Sequence, residues 1–397
     1  MLSKRIMEMA ESPTRKLMPY ANEAVKQGKN IFYLNIGQPD LEVSEEFFDR
    51  IRNFNSKTLS YAASQGTSDL IEAIRGHFLK QNISFESNEI MITTGGSEAL
   101  LYSLMVLADP GDEILVPEPF YTNYLMFTKM INVKIVPIQT KIEEGFHLPS
   151  KETIEKLITD KTKAILINSP GNPTGVIYTK EELEMLDEIS NEKNLFIISD
   201  EVYRDYVYDG IDYLSIAEVT NGNNYVLIDS TSKKYSACGA RIGSVACKNQ
   251  EFLKEFLKLC QSRLSAPTVE QYASVALYNM SDEYIQNIKI EYQKRRDTLF
   301  SLLDDIPDVT YTKARGAFYT MVKLPVKNAE EFIIWMLANY DIDGDTLLIT
   351  PCENFYGTPN MGINEVRIAY VLECAELIKA MAVLKGALEE YRKIESN

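Results

Sequence analysis

The chain reads as an α/β protein built on a mainly parallel, seven-stranded sheet flanked by helices, with a smaller α+β domain after it. Seven short apolar runs mark the sheet: IMITT (90–94), EILVP (113–117), VKIVPI (133–138), KAILIN (163–168), LFIIS (195–199), YVLID (225–229) and GSVAC (243–247). Most are apolar at successive positions, as expected of strands covered on both faces. Helix-length segments lie between them, including SEALLYSLMVLA (97–108), a segment opening at Ser150, and TKEELEMLDEISNEK (179–193). The last opens with Thr179 and Glu182 at capping-box spacing. Such alternation of strand and helix predicts parallel crossovers. From about residue 290 the pattern turns to longer helices and hairpin-like strands such as AFYTMVKL (317–324), which predicts the second domain. The expected division is an N-terminal arm with part of the small domain over 1–45, a large domain over 46–290 and a small domain over 291–397. The final helix places Leu377, Met381, Leu384, Leu388 and Tyr391 in one apolar stripe, a core-packing face.

Composition narrows the function. With 397 residues and a formal charge of −16, the chain carries no general affinity for nucleic acid or anionic membrane. No apolar run approaches the roughly 20 residues that cross a bilayer. The N-terminus lacks a signal-peptide core, so a cytoplasmic protein is expected. Five cysteines without a CxxC pair argue against a disulfide framework or a thiolate zinc site. The two histidines, His77 and His147, are too few for an imidazole metal site and are read as structural or surface residues. No GxSxG elbow is present, and TTGGSE lacks the third glycine of a dinucleotide fingerprint.

In an open parallel sheet, ligands bind beyond the carboxyl ends of the strands. TTGGSEAL follows the first strand, so Gly95 and Gly96 permit close backbone approach and the helix near Ser97 offers free N–H groups to a phosphate. Asp200 follows the strand at 195–199, and Lys233 follows the strand at 225–229. If those strands are neighbours, about 4.8 Å apart, a carboxylate and an amine reach one ligand. A cationic ring nitrogen wants the first and an aldehyde the second.

Ser230-Thr-Ser232-Lys233 followed by Gly239-Ala-Arg241-Ile-Gly243 resembles the cofactor-lysine motif of the class I/II aminotransferases, pyridoxal phosphate enzymes of fold type I. LNIGQPD (34–40), YAASQGTSDLIEAI (61–74), PEPFYTNY (117–124), NSPGNPTG (168–175), SDEVY (199–203) and VRIAY (366–370) are similar to further family segments, in the family's order. The resemblance implies an aminotransferase that moves an amino group from an L-amino acid to a 2-oxo acid by a ping-pong cycle, with aspartate the first expectation among aspartate, alanine and aromatic donors. It implies that Lys233 binds the cofactor aldehyde and moves the substrate proton, while Asp200 holds the pyridine nitrogen protonated. Asn172 and Tyr203 are implied at the 3′-oxygen, and Tyr121 against the ring. Ser230, Ser232, Arg241, Gly96 and Ser97 are implied around the phosphate. Tyr61 would reach the phosphate of a partner subunit, so a homodimer is expected. Arg367 would bind the substrate α-carboxylate, assisted by Asn172 and the Gly37 backbone.

Some positions depart from the pattern. Lys234 stands where a small or hydroxyl residue is common, and Cys238-Gly-Ala-Arg replaces Thr-Gly-Trp-Arg. GGSEAL lacks the lysine that one bacterial aspartate subgroup uses for a distal carboxylate, and Arg315 reads as a solvated loop residue. A lyase or decarboxylase on the same scaffold would share every cofactor residue named here. A non-catalytic effector module is the remaining alternative.

Overall fold

In the computed structural model, residues 2–7, 9, 12 and 15–395 are described. Strand β1 (Asn30–Tyr33) precedes the strands of the large sheet: β2 (Ile90–Thr93), β3 (Glu113–Glu118), β4 (Lys134–Gln139), β5 (Thr162–Asn168), β6 (Phe196–Asp200), β7 (Tyr225–Ser230) and β8 (Gly243–Ala246). All seven runs read from the sequence are therefore strands, with ends displaced by a residue or so. Their order is β2-β8-β7-β6-β5-β3-β4. The neighbours among β4, β3, β5, β6 and β7 pair parallel, whereas β8 runs antiparallel to both β7 and β2.

Alternation along each strand decides which face a residue serves. Ile90, Ile92, Leu115, Ile165, Ile167, Ile197 and Leu227 join one apolar core, and Met91, Ile114, Val116, Leu166, Ile198, Val226 and Val245 join the other. Helices close both sides, so the inner strands are largely buried, while the edge strand β4 is only partly covered. Pro137 falls in β4, an edge strand, where its missing N–H breaks no ladder.

A third core gathers residues distant in sequence. Leu17, Ala21, Ile31 and Phe32 pack with Leu299, Phe332, Leu377, Leu384 and Leu388. Beyond the large sheet come β9 (Thr310–Tyr311), β10 (Tyr319–Lys323), β11 (Asp345–Leu348), β12 (Thr350–Pro351) and β13 (Glu365–Ala369). The antiparallel sheet runs β12-β13-β10-β9, while β11 pairs parallel with β1, joining the chain's beginning to its last third. The first long helix, Asp282–Leu303 with 22 residues, begins close to where the sequence pattern turns; Gln250–Arg263 and Thr268–Tyr278 before it are no longer than Lys180–Lys193. The predicted stripe of the helix Cys374–Glu395 is buried at all five positions.

Local signals behave as their chemistry requires. The helix Lys180–Lys193 starts at Thr179, whose hydroxyl accepts from Glu182 N while the Glu182 carboxylate accepts from Thr179 N. Thr179→Ala should lower unfolding stability by about 1 kcal/mol, read as a shift in the denaturant midpoint with no loss of catalysis.

Candidate active site

The carboxyl ends of the parallel strands converge on one cavity of about 540 Å³. Strand β6 ends at Asp200 and its neighbour β7 at Ser230, with Asp200 paired to Ile228 in register. Asn168 ends β5 opposite Asp200. Because β8 runs antiparallel, Arg241, two residues before its start at Gly243, lies at the same edge of the sheet. Lining residues include Gly96, Ser97, Tyr121, Asn172, Asp200, Tyr203, Ser230, Ser232, Lys233, Arg241, Gly37 and Arg367, all singled out from sequence. Tyr61 is the exception. It is 77% exposed and lies outside the lining of its own chain's cavity.

The glycine segment differs slightly from expectation, since the helix begins at Gly95 rather than Ser97. Gly95 has φ +75°, and a Cβ there would stand 2.3 Å from an Arg241 guanidinium nitrogen. Glycine is therefore required for Arg241 to reach the helix start. Gly96 is different, because a Cβ there meets only ordinary contacts within the protein. The first-turn N–H groups and Arg241 together form an anion-attracting corner. Arg241 also donates to the Cys238 carbonyl at 3.0 Å. The Ser230 hydroxyl bonds that of Ser232 at 2.9 Å, also within the lining.

On the acid side, Asp200 is buried, and its Oδ2 accepts from the Tyr124 hydroxyl at 2.7 Å. Its Oδ1 has no hydrogen-bond partner. Burial pushes the carboxyl up to about 6, while the Tyr124 hydroxyl and the Val202 amide oppose the rise. The amine side is open for chemistry. Lys233 is half-buried, and its Nζ donates to the Gly37 carbonyl at 2.9 Å.

Arg367, on β13, is only 3% exposed. It donates from Nη1 to Asn172 Oδ1 at 3.0 Å and from Nη2 to the Asn35 carbonyl at 2.5 Å, while Nε is unpartnered. Its guanidinium carbon lies 4.6 Å from the Tyr319 ring centroid and 5.3 Å from that of Phe355. Tyr203 and Tyr319 share a hydroxyl hydrogen bond of 3.1 Å. Among the described residues neither Asp200, Lys233, Arg241 nor Arg367 has an ion-pair partner within the protein. Isolated charges of this kind are costly unless a ligand compensates them.

Sequence reasoning missed Tyr124, Tyr319 and Arg15. Tyr124 lies in the first turn of the helix Asn123–Ile131, three residues after Tyr121, and the two ring centroids are 5.6 Å apart. Tyr319 comes beside the site only through the pairing of β10 with β13, which nothing local announces. Arg15 lines the cavity from the N-terminal segment. Arg315, by contrast, is exposed and absent from the lining.

A profile of the family described as aminotransferase class I and II matches residues 29–353. The chain is 31% identical to an aspartate aminotransferase of Bacillus subtilis strain 168, over 98% of this chain and 99% of that one. It is 32% identical to a probable aspartate/prephenate aminotransferase of Aquifex aeolicus, again over 98% and 99%. Among solved structures, an alanine aminotransferase from Pyrococcus furiosus superposes with a TM-score of 0.91 at 30% identity, covering 98% of this chain and all of that one. A Thermus thermophilus aspartate aminotransferase gives 0.89 at 27% identity, over 98% and 99%.

The buried carboxyl makes a pH-dependent prediction for the cofactor-free protein. Between the ordinary value of 3.8 and about 6, folded Asp200 holds a proton that the unfolded chain has released. Its contribution to stability is therefore fully present below pH 3.8 and is lost as pH rises through 6. Two units correspond to about 3 kcal/mol. Asp200→Asn should abolish this loss, so the cofactor-free variant should melt above the cofactor-free parent at pH 7 and close to it at pH 4. By sequence and by structure alike, the chain belongs to the class I and II aminotransferase family.

Proposed function

We propose that this aminotransferase takes its amino group from an acidic L-amino acid, passes it to a 2-oxo acid, and works with pyridoxal phosphate held covalently by Lys233. The observation that carries the reading is the convergence on a single cavity of Asp200 with Lys233, Arg241 and Arg367, none of them ion-paired among the described residues, with Arg15 a fourth cation in the lining. The family to which the chain belongs uses this cofactor. The fit rests on the chain's own unsatisfied groups. Asp200 Oδ1 is a buried acceptor without a donor, suited to a protonated ring nitrogen. Arg241, the Ser230 and Ser232 hydroxyls and the Gly96–Ser97 amides suit a phosphate dianion. Tyr203 and the Asn172 amide nitrogen suit the 3′-oxygen, and Tyr121 supplies an aromatic surface.

When bound, the cofactor supplies an electron-accepting ring to the substrate carbon. The protein's own tasks follow from the positions of its side chains. Asp200 holds the proton on the ring nitrogen. Lys233 Nζ, exposed to the cavity, removes and returns the proton at the substrate Cα. Arg367 binds the α-carboxylate, pre-oriented by Asn172 and the Asn35 carbonyl. Gly37 closes this end of the site, its carbonyl accepting from Lys233.

Arg15 is the one cavity-lining cation, among the described residues, left without a task. We assign it the second carboxylate of the donor, in place of the lysine that GGSEAL lacks. The aspartate aminotransferases among the relatives support the same donor class. The exposed Tyr61 completes the cavity of a second copy, so the working form is a homodimer. A cytoplasmic location suits the five free thiols.

Lys233→Ala should reduce turnover by at least 10⁴-fold while the protein remains folded, with retained transamination contradicting the assignment; the size of the loss is on the order expected for removing a covalent catalyst. Arg15→Ala should raise KM for aspartate about tenfold and leave KM for alanine within about twofold. Equal changes for both donors would exclude the proposed carboxylate contact.

A further inference from the structure

Lys233 sits in a single helical turn, Thr231–Lys234, of four residues. One turn cannot hold its own shape in water, so tertiary contacts must fix where Nζ points. Toward the cavity they are uncharged hydrogen-bond partners, and Nζ itself donates to the Gly37 carbonyl at 2.9 Å. The Ser230 hydroxyl accepts from Ser232 N at 3.1 Å, and the Tyr206 hydroxyl donates to the Lys233 carbonyl at 2.8 Å.

The stronger clamp lies on the other side, at the residue that departs from the family pattern. Lys234 is fully buried and outside the cavity lining. Its Nζ donates to Asp229 Oδ2 at 2.6 Å, while Asp229 Oδ1 accepts from Ser230 N at 2.7 Å. One carboxylate thus grips both ends of the segment that displays Ser230, Ser232 and Lys233. The ammonium is held further by His77 Nε2 at 3.1 Å, by Asp205 Oδ2 at 3.5 Å, and by the rings of Tyr278 and Tyr235 at 5.2 and 5.7 Å. Burial and the Lys234 charge depress His77 to about 2, so its imidazole is neutral and free to accept.

A buried ion pair stabilises a fold little better than well-packed apolar side chains, because its desolvation offsets its attraction. Stability alone is then a poor reason for the pair, whereas fixed geometry is what it supplies. We propose that Asp229 and Lys234 form a staple across residues 230–234 that positions Lys233 and the two serines, making Lys234 a positioning residue of the transamination site. The proposal rests on the reading of Lys233 as the cofactor-bearing lysine. An electrostatic link runs the same way: the Asp229 charge pushes Asp200 up, and Lys234 beside it counters that charge.

The test uses the holoenzyme and the paired variant Asp229→Asn/Lys234→Met, which removes both buried charges together, with Lys234→Met as the second variant. Pyridoxal phosphate release is followed by visible absorbance after removal of free cofactor, alongside kcat, KM for aspartate and the melting temperature. The expected result is a folded paired variant that releases cofactor about tenfold faster and turns over about tenfold more slowly, with KM within about twofold. Release and kcat both within twofold of the parent would overturn the proposal. Loss of the fold in both variants would overturn it as well, by assigning the pair to the fold alone. A parent enzyme that takes up no cofactor on Lys233 would instead refute the functional reading beneath it.

Discussion

The parallel pairing of β6 with β7 is the constraint on which the site depends. It brings the end of one strand, Asp200, beside the end of the next, from which the turn bearing Lys233 departs. Adjacent strands lie about 4.8 Å apart, so a carboxylate and an amine are offered to one small ligand without any long loop to order. The other contributors arrive by the same geometry. Parallel strands β2, β3 and β5 end at that edge, and the antiparallel β8 begins there, placing Arg241 against the Gly95 turn.

The second organising fact is electrostatic. Charges left unpaired in a partly dry cavity are unfavourable in the empty protein. Here each has been pre-oriented instead: Asp200 by Tyr124, Arg367 by Asn172 and the Asn35 carbonyl, and Lys233 by the Gly37 carbonyl. The cost of that arrangement is visible in Asp200, whose burial raises its carboxyl to about 6. Such preorganised charge suits the cofactor and the substrate carboxylate proposed for this cavity.

Much of this was legible before the fold was known, for identifiable reasons. The inner strands of the large sheet are buried on both faces, so their apolar runs are continuous and easily seen. Lys233, Asp200, Arg241 and Asn172 lie in segments whose residue order is distinctive. Tyr319 lacked any such marker, and Lys234 was marked only as a departure from the pattern, without its partners. The importance of Tyr319 arises from the pairing of β10 with β13, and that of Lys234 from a helix more than 150 residues away that supplies His77. The union of β1 with β11 spans most of the chain and has no local trace.

Borohydride reduction of the holoenzyme, followed by peptide mapping, tests the central claim most directly. Reduction should fix pyridoxal phosphate on the peptide containing Lys233, with the neighbouring buried Lys234 unlabelled. Label on any other lysine, or on none, would contradict the account.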